Sequence, residues 1–111
     1  MSTGDDIRER AFRFGCDVIA LHDSLKVRDL TRQLLRSGTS IGANLEEADA
    51  AQSRADFISK CTIALKEARE SHYWLRLLRA SGKMRDGDRL LRDANELVAI
   101  LTTIVRKAAA Q

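Results

Sequence analysis

Apolar residues recur along this chain at alternating spacings of three and four, which is the period of an amphipathic α-helix. The pattern holds over four segments, and we predict helices over residues 5–24, 27–51, 54–80 and 86–109. The first apolar seam is formed by Ile7, Ala11, Phe14, Val18, Leu21 and Leu25. Four amphipathic helices with short connections predict an all-α, up-and-down antiparallel four-helix bundle, with residues 1–111 as one domain.

The other three segments carry similar seams. The second is formed by Val27, Leu30, Leu34, Ile41, Leu45 and Ala48. The third is formed by Ile58, Cys61, Leu65, Ala68, His72 and Leu75, and the fourth by Leu90, Ala94, Leu97, Leu101, Ile104 and Ala108. Ser53 is placed to cap the start of the third helix, and Gly82 is suited to its end.

The stretch "RSGTSIGANLEEADAAQSRADFISK" raises the question of a phosphate-binding loop. That interpretation fails because Gly38 and Gly42 are too close together, no lysine follows them and no strand precedes them. The apolar seam keeps its register through both glycines, which favours a helix that another backbone approaches closely. Beside the seam, spacings of three, four and three define a polar stripe of Ser37, Ser40, Asn44 and Glu47. The alternative is a solvated polar strip with tolerated glycines.

The third segment carries a second face, away from its seam. This face combines apolar and acidic residues, namely Ile63, Glu67, Glu70, Trp74 and Leu77. A solvated face seldom carries isoleucine, tryptophan and leucine together, and tryptophan is a favoured anchor at protein interfaces. We therefore predict a contact surface between copies of this chain.

Basic residues form two further clusters in a chain of net charge +3 and pI near 9.2. Arg28, Arg32 and Arg36 follow one another at intervals of four residues. They are expected to pair with Glu67 or Glu70 of a neighbouring copy of this chain or to contact phosphates, and the alternative is a solvated basic face. The second cluster is Arg76, Arg79, Lys83 and Arg85. With five aromatic residues in the chain, phosphate contact is a better expectation than base stacking.

The sequence offers no catalytic set, metal site or cofactor motif, and we expect no enzymatic activity. Cys16 and Cys61 lie on or near apolar seams, where cysteine is most often a small buried hydrophobe. His22 and His72 are expected to be structural, because the bundle di-iron pattern needs Glu-x-x-His and no glutamate stands three residues before His72. A charged N-terminus and the lack of a long apolar run predict a cytoplasmic protein with reduced thiols and no membrane contact.

From Gln33 onward the chain resembles the bacterial four-helix-bundle family first noticed in open reading frames of 23S ribosomal RNA intervening sequences. The likeness lies in "RQLLRSGTSIGANLEEADAAQSRADFISKCTIALKEARESHYWLRLL" and a helical tail to about residue 106. The family's Q-L-x-R-S-x-x-S-I-x-x-N-x-x-E pattern places Gln33, Ser37, Ser40, Ile41, Asn44 and Glu47 among its specified positions. The family's Phe-Pro and Tyr-Gly before helix two are missing from "HDSLKVRDL".

The resemblance implies a ring-shaped homo-oligomer, with the pentamer as the recurring form. It places the polar stripe, with Gln33, at a packed interface within or between subunits. The same superfamily includes the accessory protein of diversity-generating retroelements, which looks like a basic ring that binds nucleic acid and a reverse transcriptase. The sequence therefore predicts a scaffolding oligomer that contacts RNA or DNA through basic surfaces, including Arg28, Arg32, Arg36, Arg76 and Arg79. The alternative is a module that binds a protein partner, such as a reverse transcriptase, without touching nucleic acid.

Overall fold

The protein is built from four α-helices and, in the part of the chain that the structure describes, has no strand. The computed structural model describes the backbone of residues 3–111 and the side chains of residues 7–111. The helices are α1 (Thr3–Ser24), α2 (Arg28–Asp49), α3 (Arg54–Ala80) and α4 (Asp88–Ala110). The bounds of α3 and the end of α1 agree with the prediction, and the other ends differ by one or two residues. Terminal turns bury little, so apolar periodicity does not fix where a helix ends.

The helices stand at the corners of a square, in chain order. Each packs against its neighbours in sequence, and α1 and α4 close the bundle. Among the described residues, no Cα atoms of diagonally opposite helices lie within 8 Å of each other. Ion pairs show the directions of the chains. Arg10 pairs with Glu96 and Asp17 pairs with Arg89, so residue numbers rise along α1 in the direction in which they fall along α4. The short connections and these pairs define an antiparallel up-and-down bundle, 44 Å along its longest axis.

The predicted seams of three helices form the core. The fully buried members are Ile7, Ala11, Phe14 and Val18 of α1, Leu34, Ile41, Leu45 and Ala48 of α2, and Leu90, Ala94, Leu97 and Leu101 of α4. Seam residues nearer the helix ends are only partly buried: Leu21, Leu25, Val27, Leu30, Ile104 and Ala108. This is the expected behaviour of a bundle whose ends have no fifth element to cover them.

Helix α3 is rotated relative to its predicted seam. Ile58 and His72 are half-buried rather than buried, whereas Ala64, Ser71 and Leu78 are fully buried. The prediction was wrong here because alanine and serine add little to an apolar pattern, yet their small size allows two helices to approach closely. The expectation that both cysteines are buried was also wrong, since Cys61 is buried and Cys16 is exposed.

The glycine-containing stretch is helical throughout, as the seam predicted. Gly38 and Gly42 lie within α2 where it crosses α1. A Cβ atom at Gly38 would stand 2.9 Å from Cγ2 of Val18, so the close approach requires glycine at that position. The predicted N-cap and C-terminal glycine of α3 are also confirmed. The Ser53 side chain accepts a hydrogen bond from the Asp56 amide at 3.0 Å, and Gly82 follows the last turn with φ of 76°.

Candidate interaction surfaces

The junction of α2 and α3 contains a buried hydroxyl pair. Ser37 and Ser71 are both 0% exposed, and the Ser71 hydroxyl donates to the Ser37 hydroxyl at 2.9 Å. Ser37 can then pass its own hydrogen to the Leu34 carbonyl at 3.3 Å. Both hydroxyls are therefore satisfied away from water, which removes the penalty of burying them. The two small side chains allow α2 and α3 to pack closely.

The rest of the predicted polar stripe separates into two environments. Asn44 and Ser40 are half-buried, and the Asn44 amide donates to the Ser40 carbonyl at 2.9 Å and to its hydroxyl at 3.1 Å. Gln33 and Glu47 are exposed. Within one chain, the structure thus buries Ser37 fully and leaves the two ends of the stripe on the surface.

Arg36 joins α2 to α3 on the outside of that junction. Its guanidinium contacts Glu67 at 3.1 Å and Glu70 at 2.5 Å, and the Trp74 indole N–H donates to the same Glu70 oxygen at 3.1 Å. The hydrogen bond from Arg36 lowers the pKa of Glu70, and the Trp74 hydrogen bond acts in the same direction. The sequence had suggested that Arg36 meets these acids across a subunit boundary or binds phosphate. The structure forms the pairs within one chain.

The predicted contact surface on α3 surrounds this cluster. Ile63 is 38% exposed, and Trp74 and Leu77 are half-buried. The Glu67 side chain retains only 15% of its accessible surface and that of Glu70 34%. All five predicted residues therefore lie on or beside one face of the bundle, with both carboxylates paired with Arg36.

A second apolar surface lies on α1, where the sequence reasoning did not look. Phe12 is 67% exposed and Ile19 46% exposed, and the exposed Cys16 lies between them. Their spacings of four and three are a helical stripe, so the signal was present in the sequence. Because this stripe has only three residues, it gives a weaker periodic signal than the buried seam of the same helix. The groove beside these residues is completed by small residues of α2, namely Thr39, Gly42 and Ala43.

The remaining arginines that were predicted to bind nucleic acid differ in the hydrogen bonds and ion pairs that they form within the chain. Arg28 donates to the imidazole of His22 at 3.1 Å, and Arg32 lies 3.9 Å from Asp29. Arg79 makes an ion pair with Asp88 at 2.6 Å. Arg76 is exposed and forms no ion pair with a described residue. Of the five predicted arginines, Arg76 is thus the one least engaged by the protein itself.

Both histidines have structural surroundings. The Nδ1 atom of His22 lies 2.8 Å from the Thr31 hydroxyl, linking the end of α1 to the start of α2. Burial lowers the pKa of His72, and the nearby charge of Arg76 lowers it further.

Among the described residues, no three metal-ligating side chains come together. None of the helices formed by the described residues is long and apolar enough to cross a bilayer.

An open groove of about 790 Å³ lies where α3 begins and α4 ends. Phe57, Ile100 and Ile104 form its apolar floor, with Arg54 and Lys107 among the residues that line it. A groove with this mainly apolar lining is better suited to contact with an apolar group than to catalysis.

Comparisons with known proteins agree with this architecture. A family model described as "23S rRNA-intervening sequence protein" matches residues 5–103. A crystal structure of a protein of unknown function from the S23 ribosomal protein family of Bacteroides thetaiotaomicron VPI-5482 is similar, with 37% sequence identity and a TM-score of 0.88. The likeness covers 95% of this chain and 99% of that one. A comparison with curated proteins gives no match.

Proposed function

Because the chain belongs to the 23S rRNA-intervening sequence protein family, we propose that it is a non-enzymatic scaffold that assembles as a homo-oligomer. The proposed assembly is a closed ring, with five copies as the number that the sequence resemblance implies. In this proposal, basic surfaces of the ring contact RNA or DNA. The single observation that carries the proposal is that one small bundle exposes two different apolar surfaces.

The two surfaces lie on different helices and differ in composition. One contains Phe12 and Ile19 of α1, and the other contains Ile63, Trp74 and Leu77 of α3. Exposed apolar surface of this kind favours protein contact. When two unlike patches of one chain meet, the contact is heterologous. Its repetition gives a ring where the rotation between copies closes and an open filament where it does not. The two patches therefore support a cyclic assembly better than a twofold dimer.

The charges around the α3 surface also support protein contact. Arg36 contacts both Glu67 and Glu70 within the chain and offsets one of their two negative charges, so neither carboxylate would enter an interface without a partner. Unpaired charge is what makes interface burial costly, and paired charge reduces that cost. A subunit could thus cover Trp74 without leaving an isolated carboxylate beneath it.

A module that binds a different protein is the second candidate. It would use the same apolar surfaces, and the ion pairs of Arg36 and Arg79 favour it, because these two cations already have partners in the chain. A reverse transcriptase is the partner class that the sequence resemblance implies. In this alternative the chain binds no nucleic acid of its own.

The first experiment is size-exclusion chromatography with light scattering and absorbance at two wavelengths, on protein purified without nuclease. A mass near five protomers with excess absorbance at about 260 nm is the result expected of a nucleic-acid-binding ring. The same mass with the absorbance of pure protein would favour the partner-binding module. A monomeric mass would overturn the proposed assembly.

A further inference from the structure

The charges of α3 are segregated onto two sides of the helix. The side next to α2 is identified by Ser71, which meets Ser37, and it carries Glu67 and Glu70. The outward side and the edge next to α4 carry Lys66, Arg69 and Arg76, all exposed. Arg69 and Arg76 are seven residues apart, so they lie in one row along the helix. No acidic residue occurs in α3 after Glu70, and both of its glutamates are held by Arg36.

Helix α4 has a similar division. Its acidic residues Asp93 and Glu96 lie towards α1, as the Arg10–Glu96 ion pair and the groove they share with Asp17 show. From residue 97 onward α4 has no acidic residue. Arg92 and Arg106 are exposed on its outer surface. The outer faces of α3 and α4 therefore join into one basic surface, formed by Lys66, Arg69, Arg76, Arg92 and Arg106.

None of these five cations forms an ion pair with the side chains that the structure describes, residues 7–111. The acids nearest this surface along the chain are paired with other cations. Arg36 holds Glu67 and Glu70, Arg89 lies 3.8 Å from Asp93, and Arg10 pairs with Glu96. The basic surface is thus unneutralised by its own chain, in contrast to Arg36.

The shape of the surface favours a polymer of phosphates. At 1.5 Å per residue, Lys66 and Arg76 are roughly 15 Å apart along α3, and Arg92 and Arg106 roughly 21 Å apart along α4. Such a span exceeds one phosphate group and matches several nucleotides of a strand. Four of the five cations are arginines, whose planar forks suit phosphate oxygens.

One aromatic ring lies within this surface. Tyr73 is 49% exposed and follows Arg69 by four residues and precedes Arg76 by three, so it neighbours both on the helix surface. Its ring packs edge-on against Trp74, with centroids 5.4 Å apart, which restricts its orientation. An exposed tyrosine between arginines offers an unpaired base a surface for stacking. The sequence had given stacking little weight, because it could not show which aromatic residues stay exposed.

We propose that the basic surface of α3 and α4 binds a single-stranded segment of RNA or DNA, with its cations on the phosphates and Tyr73 stacked on one unpaired base. This inference rests on the nucleic-acid part of the proposed function, and it moves the contact from the arginines of α2 to a different face. An anionic membrane is a poorer occupant, because Tyr73 is the one large apolar side chain of the described residues that this face exposes.

The test measures binding of a fluorescently labelled, 20-nucleotide single-stranded RNA of mixed sequence across a series of salt concentrations. The variant Arg69→Ala/Arg76→Ala/Arg106→Ala removes three of the cations. Its matched control, Arg13→Ala/Lys26→Ala/Lys60→Ala, removes the same charge from other faces. Circular dichroism and light scattering check that both variants keep the helicity and assembly of the full chain.

The first variant is expected to weaken binding at least about tenfold at 0.1 M salt and to reduce the salt slope by about 2, while the control changes affinity by less than about threefold. Binding by the natural chain with equal losses in both variants, or no loss in the first, would overturn the inference and leave the proposed function standing. No binding by the natural chain would instead overturn the nucleic-acid part of that function, and the inference with it.

Two further probes identify the occupant. Tyr73→Ala is expected to weaken binding of the single strand about fivefold or more, and to leave a duplex of the same length unaffected. Equal effects on both would overturn the stacking role. Polyglutamate of matched charge is expected to compete poorly. If it competes as well as RNA, the surface recognises an acidic protein and the proposal is wrong.

Discussion

Two glycines of α2 face the same neighbouring helix in different surroundings. At Gly38 the space for a methyl group is occupied by both Cγ atoms of Val18, at 2.9 and 3.1 Å. Val18 is fully buried and β-branched, so it has little freedom to move away. At Gly42 the nearest atoms belong to Ala11, the closest at 3.7 Å, which is an ordinary van der Waals contact. The structure therefore requires glycine at position 38 and tolerates a larger residue at position 42, although the sequence alone does not distinguish the two.

The two alanine substitutions should therefore change stability in opposite directions. Gly42→Ala is expected to raise the free energy of unfolding by about 0.5–1 kcal/mol, because alanine loses less backbone entropy in a helix. Gly38→Ala is expected to lower it by about 1–2 kcal/mol net, because overpacking against Val18 exceeds that gain. Urea denaturation followed by circular dichroism measures both. Equal effects of the two substitutions would contradict this account of the α1–α2 contact.

Between elements, the α2–α3 contact has a polar part as well as an apolar one. It combines the buried Ser37–Ser71 hydroxyl pair with the cluster of Arg36, Glu67 and Glu70 on the outside. The seam residues supply the apolar part of this contact. The hydroxyl pair favours the observed rotation, because only then can Ser71 donate across the contact rather than to the Glu67 carbonyl of its own helix at 2.9 Å. The polar contacts thus specify a register that the apolar stripes allow.

Removal of Arg36 should expose the contribution of its cluster. At neutral pH, Arg36→Ala is expected to lower the free energy of unfolding by about 1 kcal/mol, since two partly covered carboxylates lose their partner. The matched control is Arg32→Ala, which removes an exposed cation 3.9 Å from Asp29 and should change stability by less than about 0.5 kcal/mol. Denaturant titrations of the three proteins provide the comparison.

The effect of Arg36 should also depend on pH in a defined direction. Arg36 lowers the pKa of Glu70 below its ordinary value of 4.5, so in the natural chain the folded state binds protons less readily than the unfolded state. The associated stability is fully present above pH 4.5 and is lost as the pH falls through the lowered pKa. The difference between the natural chain and Arg36→Ala should therefore shrink below pH 4.5. A constant difference down to pH 2 would contradict the pairing.

For the whole molecule, the two apolar surfaces and the basic surface occupy separate parts of the bundle. Phe12 and Ile19 lie beside the outer edge of α2, Trp74 lies near α2 on α3, and Arg69 and Arg76 lie towards α4. In a ring built through the apolar surfaces, each copy would still present its α3–α4 face. Assembly and nucleic-acid binding are thus compatible on one small chain.

Trp74 provides the direct test of that assembly. Trp74→Ala is expected to reduce the mass measured by light scattering to that of the protomer and to leave the circular dichroism spectrum nearly unchanged, because Trp74 lies outside the fully buried core. Trp74→Phe keeps an apolar ring but loses the N–H bonded to Glu70, and it should retain most of the assembly. An unchanged mass for Trp74→Ala would remove this residue from the proposed interface.

The sequence by itself determined the four helices, their order and most of the core, because burial of one stripe per helix imposes a period that can be read directly. It also indicated that α2 continues through Gly38 and Gly42, since a helical register survives across them. The family resemblance agreed with these features and reached residues that periodicity alone could not interpret, such as Asn44.

Tertiary structure decided which polar and exposed groups meet. The pairing of Arg36 with Glu67 and Glu70, the hydroxyl bond between Ser37 and Ser71, and the exposure of Phe12 all depend on how neighbouring helices are rotated and offset. Apolar periodicity constrains the side of a helix that faces inward but leaves small rotations and axial shifts free. A few degrees or one residue of offset then determines whether a cation is paired within the chain or left available to a partner.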